Sequence, residues 1–235
     1  MALPVLNAAK YRTMVPSLGK EVEYRPYLVK EEKILMIAIE SQDQRQILGA
    51  LKDVIKACVI DDIDIDNLAM FDIESLFLKL RSKSVGESTE IRAKCSECDT
   101  PNKQSVKFDD IEIPTIKKGK MTVALTKDVG VTLKYPSITV IEESDSENME
   151  SYDSIIELII NCIDSIYDAD NVYSAKDEGK KELLAFVEAL NSDQFGKLTE
   201  FFRNIPSLKY TLKYDCSKCG HKNELELKGI ESFFG

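Results

Sequence analysis

Four of the six cysteines fall in two matched pairs, Cys95-Ser-Glu-Cys98 and Cys216-Ser-Lys-Cys219. Each pair follows a strand-like run, Glu90–Lys94 or Tyr210–Tyr214. Each precedes a polar turn containing an asparagine, Asn102 or Asn223, and then an alternating run, Val106-Lys107-Phe108 or Leu225-Glu226-Leu227. The pattern reads twice as strand, knuckle, strand. A Cys-x-x-Cys knuckle aims both sulfurs at one point, and two knuckles supply the four thiolates of a closed tetrahedral structural zinc site. Such a site leaves no open position for water, which argues against a catalytic metal.

The spacing between the pairs is unusual. Compact zinc ribbons separate their pairs by roughly 15–20 residues, whereas 117 residues lie between Cys98 and Cys216. One shared metal would tie two hairpins across a long insertion. The alternatives are a redox dithiol, two disulfides or unrelated surface thiols, with iron as the rival metal for four thiolates. A redox site needs only one pair, so the matched second pair weighs against that reading. The single histidine, His221, follows the second knuckle. It reads as a surface residue or a donor to the sulfurs rather than a ligand or a catalytic base. With one histidine, Ser-His-Asp and Cys-His schemes have almost no material. Cys58 and Cys162 fall in apolar helical stripes and read as core thiols.

The net charge is −10 and the pI about 4.8, which opposes a general nucleic-acid or membrane-surface binder. No apolar run approaches the roughly 18 residues of a spanning helix. The first residues lack the basic start and apolar core of a signal peptide, so the cysteines are expected in a reducing cytoplasm, where metal is favoured over disulfide. No phosphate loop, dinucleotide fingerprint or triad is present, and the expectation is a non-enzymatic protein with no small-molecule substrate.

The elements that must carry the knuckles follow from periodicity. Residues 1–28 read as an extended hairpin turning at Ser17–Lys20, with Val22 and Tyr24 on one side. Helices are expected from Lys30, from Ser41-Gln42-Asp43 to Cys58, and over Asp72–Lys83. The run Asp61–Asn67 lacks the glycine and glutamate of a calcium loop and reads as a charged loop capping the next helix. Strand runs Met121–Leu125 and Val131–Lys134 form a second hairpin candidate. A long helix is expected over Ser151–Tyr167, a polar link over Asp168–Lys176, and helices over Lys180–Leu190 and Gln194–Asn204. The fold class is therefore α+β: a zinc-ribbon-like β base of two split Cys-x-x-Cys hairpins, with flanking and inserted helices. Its segments are 1–86, 87–141, 142–206 and 207–235, with 87–141 and 207–235 expected to form one zinc-clipped unit.

The stretch from Val22-Glu23-Tyr24-Arg25-Pro26-Tyr27 to Met36, the split knuckles and the closing Gly229-Ile230-Glu231-Ser232-Phe233-Phe234 together resemble the baseplate hub family of T-even-type contractile-tailed bacteriophages. The resemblance implies a late viral protein that helps build the central hub of the tail baseplate and binds other hub proteins. It would act in the host cytoplasm during assembly and belong to the virion's tail. The metal ligands, Cys95, Cys98, Cys216 and Cys219 with one structural Zn2+ per chain, rest on spacing rather than on the resemblance. The segments Tyr24–Met36 and Ile230–Phe234 carry aromatic and aliphatic anchors for docking. The competing reading is a zinc-ribbon module that binds nucleic acid or polymerase through Lys94, Lys103, Lys107, Lys213, Lys218 and Lys222; a redox enzyme is the third.

Overall fold

The computed structural model describes residues 8–113, 116, 121–143, 151–229 and 232. It is an α+β protein that divides into two compact units, Met1–Ile116 with Pro206–Gly235, and Lys117–Ile205.

The first unit opens with the antiparallel strands β1 (Tyr11–Val15) and β2 (Lys20–Tyr24). Their turn closes on Gly19 at φ 55°, where a side chain would be strained. The alternation of β2 buries Val22 and Tyr24. Helix α1 (Val29–Ser41) follows. Glu31 in its first turn accepts the Leu28 N–H and an Arg25 guanidinium N–H, both at 2.8 Å. Helix α2 (Gln44–Cys58) starts where the Asp43 carboxylate accepts the N–H groups of Arg45 and Gln46, satisfying donors that a helix start leaves open. Its inward stripe is Leu51, Val54, Ile55 and Cys58.

Helix α3 (Met70–Ser84) is the centre of this unit. Phe71, Ile73, Leu76, Phe77, Leu78 and Leu80 are all at most 1% exposed, each worth roughly 2 kcal/mol of burial. A helix apolar on every side must be enclosed, and its buried polar groups must find partners. Asp72 accepts the Ser17 N–H at 2.8 Å, Ser84 the Tyr27 N–H at 3.0 Å and Glu74 the Leu208 N–H at 3.2 Å. The loop before α3 does not cap it as expected. The N-cap is Ala69, with no side-chain bond, and Asp66 instead meets Lys56 at 2.7 Å. Strands β3 (Ser88–Lys94) and β4 (Pro101–Lys107) then pair antiparallel. Lys79 reaches Asp109, and Arg81 lies over the Phe108 ring.

The second unit holds a four-stranded antiparallel sheet in chain order, β5 (Met121–Ala124), β6 (Gly130–Leu133), β7 (Ile163–Tyr167) and β8 (Val172–Ser174). Helices α4 (Ile138–Glu143) and α5 (Tyr152–Cys162) connect β6 to β7. Helices α6 (Lys180–Glu188) and α7 (Ser192–Arg203) follow, and their Leu183, Val187, Leu198 and Phe201 pack with Val131, Leu133, Ile159 and Ile163. Gly130 stands opposite Tyr167, whose ring occupies the place of a Cβ.

The long helix expected over Ser151–Tyr167 ends at Cys162 instead. The backbone turns extended at Ile163, and residues 163–167 fill the edge that β6 presents. The polar link after it contains β8. The Asp168 carboxylate accepts the N–H groups of Asp170 and Asn171 and the Tyr173 hydroxyl, a turn that folds β8 back on β7.

The chain re-enters the first unit as β9 (Lys209–Asp215) and β10 (Lys222–Lys228), paired antiparallel. A bridge from Glu112 to Lys209 joins the segment after β4 to the start of β9. Of the expected docking tail, Ile230, Glu231, Phe233, Phe234 and Gly235 lie outside the described residues.

Candidate metal centre

Both knuckles sit in the turns of their hairpins, and the two hairpins are built alike. Cys95 N–H donates to Thr100 O at 3.0 Å, and Asp99 N–H donates back to Cys95 O at 3.0 Å. In the other hairpin Cys216 N–H donates to His221 O at 2.8 Å and Gly220 N–H to Cys216 O at 2.9 Å. The fifth residue of each turn is left-handed, Asp99 at φ 53° and Gly220 at φ 70°. Each of these pairs is 121 positions apart in the sequence, as are the strand ends and both cysteines. The match extends to the hairpin mouths, where Phe108 N–H donates to Glu87 O and Gly229 N–H to Leu208 O.

The four sulfurs lie within 4.8 Å of one another. Two of the contacts cross between hairpins: Cys95 Sγ to Cys219 Sγ at 3.7 Å and Cys98 Sγ to Cys216 Sγ at 3.6 Å. A tetrahedron with metal–sulfur bonds of about 2.3 Å has edges of about 3.8 Å, so the cluster has the dimensions of a four-thiolate site. It is far wider than the ~2.0 Å of a disulfide, and all six cysteines are free. Cys95 and Cys216 are buried, Cys98 half-buried and Cys219 exposed.

Backbone donors prepare the buried sulfurs for charge. The N–H groups of Cys219 and Lys218 hold the Cys216 thiol down to about 6. Burial works against ionisation of Cys95, but the N–H groups of Glu97 and Cys98 and the Asn223 amide outweigh it, and this thiol is also lowered. The His221 N–H draws Cys219 down, yet the neighbouring sulfurs, Cys98 first, and burial push it up to about 12. Crowded thiols cannot all ionise together unless a cation neutralises them.

Two further residues belong to the site, and the sequence reading places them only in polar turns. Asn102 and Asn223 are buried. Each reaches across to the other knuckle, Asn102 Oδ1 accepting the Ser217 N–H and Asn223 Oδ1 the Ser96 N–H, both at 2.9 Å. The available signal is that both lie seven residues after the first cysteine of their pair. A further cross-hairpin bond runs from the Tyr214 hydroxyl to Lys94 O at 2.7 Å. His221 contributes its backbone; its side chain is exposed. Cys58 and Cys162 lie apart from the cluster, and burial pushes their thiols up to about 11 and about 12, as suits inert core residues.

A closed set of four sulfurs suits a metal that holds structure rather than one that performs a reaction. The family model described as T4 bacteriophage base plate protein matches residues 8–235, nearly the whole chain. The chain belongs to that family and is a structural protein of the phage baseplate, a component of the viral tail. No curated protein and no solved structure matches it. Among the described residues no helix is long and apolar enough to cross a membrane.

Proposed function

We propose that the protein acts in formation of the central baseplate hub, through contacts with other hub proteins, and that one structural Zn2+ per chain fixes its two hairpins into a zinc-ribbon-like base. The family match over residues 8–235 carries the baseplate reading; the hub role rests on the Val22–Met36 stretch and the split knuckles. The sulfur cluster supports the metal, with Cys95, Cys98, Cys216 and Cys219 as its ligands. Helix α1 supports the docking role, and the tyrosines that precede it do not: Tyr24 at the end of β2 and Tyr27 in the link are core residues, while Val29, Ile34, Met36 and Ile37 of α1 are exposed. These four are the anchors we assign to hub contacts.

The nucleic-acid reading draws less support. Lys103 faces Glu90 at 3.9 Å and Lys213 faces Glu224 at 3.5 Å across their own hairpins, so part of the basic set is offset by acids.

The test is a phage with this gene interrupted, its tail intermediates imaged by electron microscopy. Baseplates without a central hub are expected. Wild-type protein supplied in trans should restore the hub, and a Val29→Ser, Met36→Ser, Ile37→Ser variant that folds normally should not. Complete hubs in the interrupted phage would contradict the assignment.

A further inference from the structure

The two asparagines do more than close their turns. Each fills its amide in the same way in both halves. Asn102 Nδ2 donates to Thr100 O at 2.8 Å and Asn223 Nδ2 to His221 O at 2.9 Å. The same nitrogens stand 3.7 Å from Cys216 Sγ and 3.6 Å from Cys95 Sγ, the first cysteine of the opposite pair. The oxygens meanwhile hold the serine N–H that follows that cysteine. Each asparagine therefore grips one cysteine of the other hairpin from two sides. A buried amide is costly unless its groups are paired, and both are paired alike, with the Ser96 hydroxyl adding one more bond to Asn223 Oδ1 at 3.1 Å.

We propose that Asn102 and Asn223 are positioning residues of the four-sulfur site, each donating from its own hairpin to a sulfur of the other, so that the ligand set is complete only when the hairpins are docked. This rests on the metal reading above. Four thiolates around a divalent cation keep a net double negative charge. Two of the sulfurs, on Cys95 and Cys216, are buried away from water, and N–H donors aimed at them replace the lost solvent. Because these donors come from the opposite hairpin, neither knuckle alone offers a fully supported pair. Metal binding and the joining of segments 121 residues apart then become one event.

The test uses the full chain and cobalt(II), titrated against a chelator of known affinity while the thiolate-to-cobalt charge-transfer band is recorded. Asn102→Ala and Asn223→Ala should each weaken binding tenfold to hundredfold, the usual cost of losing such a partner. Each should also move the band to lower energy, since the sulfur lone pair is no longer stabilised. If an alanine variant fails to fold, Asn102→Asp or Asn223→Asp serves instead, keeping the acceptor for serine but losing the donor to sulfur, with a larger loss of affinity. Tyr214→Phe removes a cross-hairpin bond that touches no sulfur and should leave the band in place. Asparagine variants that match wild type in affinity and band overturn the proposal while leaving the metal reading intact. A Tyr214→Phe shift as large as theirs overturns it too, because docking alone would then set the site. A wild-type chain that binds no cobalt overturns the metal reading itself.

Discussion

Two residues before the first cysteine, one hairpin carries Ala93 and the other Tyr214; both are buried. Residues 87–108 and 208–229 otherwise fold alike, with the same register, the same turn and the same cross-bonding asparagine. What they share lies next to the sulfurs: Cys, Ser, Cys and Asn at equal spacing. What differs lies one layer out. Tyr214 spends its hydroxyl on the Lys94 carbonyl, and no tyrosine answers it from the position of Ala93. The second hairpin is also the one held by Glu74 of α3 through Leu208, whereas Arg81 of the same helix lies over Phe108 of the first. The difference teaches that the inner layer follows the clustering of four sulfurs, while the outer layer is set by how each hairpin meets the rest of its unit.

The largest effect should come from the shared layer. Cys95→Ser and its counterpart Cys216→Ser should destabilise the first unit alike, by roughly 5 kcal/mol or more. That is below the ~10–16 kcal/mol apparent in zinc-finger peptides, because this unit has its own apolar core. Thermal unfolding of the two variants, and of wild type with a strong chelator, should give the same lowered transition. Unequal losses would break the equivalence of the hairpins.

Next comes the layer where they differ. Tyr214→Ala gives the second hairpin the residue of the first and should cost about 3 kcal/mol in denaturant unfolding, the scale of truncating a buried aromatic. A loss under about 1 kcal/mol would mean that the ring packs poorly and that only its hydrogen bond matters.

The turn glycine sharpens the comparison further. Gly220 is left-handed with open space where a Cβ would stand, so Gly220→Ala should cost about 1 kcal/mol from backbone strain alone. Asp99→Gly, the reciprocal change, should gain about 0.5 kcal/mol on the same grounds.

The smallest effect lies outside both hairpins and should be indifferent to the metal. Burial raises the Asp72 carboxyl above its ordinary range, against the opposing pull of the Ser17 N–H, and its Oδ2 has no hydrogen-bond partner. A raised folded-state value means that the folded chain keeps its proton to higher pH than the unfolded chain. The contribution is therefore full below the ordinary carboxylate range and lost as pH rises through the raised value. Relative to Asp72→Asn, wild type should lose Tm between acid and neutral pH, equally in the presence and absence of Cys216→Ser. A difference in Tm that is flat with pH would contradict this.

Much of this architecture was legible from local pattern. The knuckles, the two helices before Cys58, the helix through Phe77 and the N-terminal hairpin all rest on spacing within one element. Strand β7 was not. Ile163 and Ile166 extend the apolar spacing of α5 as well as they fit a strand, and what decides between them is the partner edge of β6, some thirty residues earlier. The asparagine clamps were hidden for the same reason: Asn102 and Ser217 meet only in the folded chain. Nothing in the spacing of the Asp72–Lys83 helix singles out Glu74, whose carboxylate accepts the backbone N–H of Leu208, a residue 134 positions later. Docking was expected from the whole Tyr24–Met36 segment, yet apolar character alone could not distinguish core from surface: Tyr24 and Tyr27 are buried, whereas Val29, Ile34, Met36 and Ile37 are exposed.

The most direct test of the shared site is metal content together with sulfur coordination, measured on full-length protein purified without added metal, by elemental analysis and X-ray absorption at the zinc edge. One zinc per chain with four sulfurs at about 2.3 Å is the expected result, reduced to none in the Cys95→Ser, Cys216→Ser variant. A chain that carries no metal and whose four cysteines react freely with a thiol reagent would contradict it.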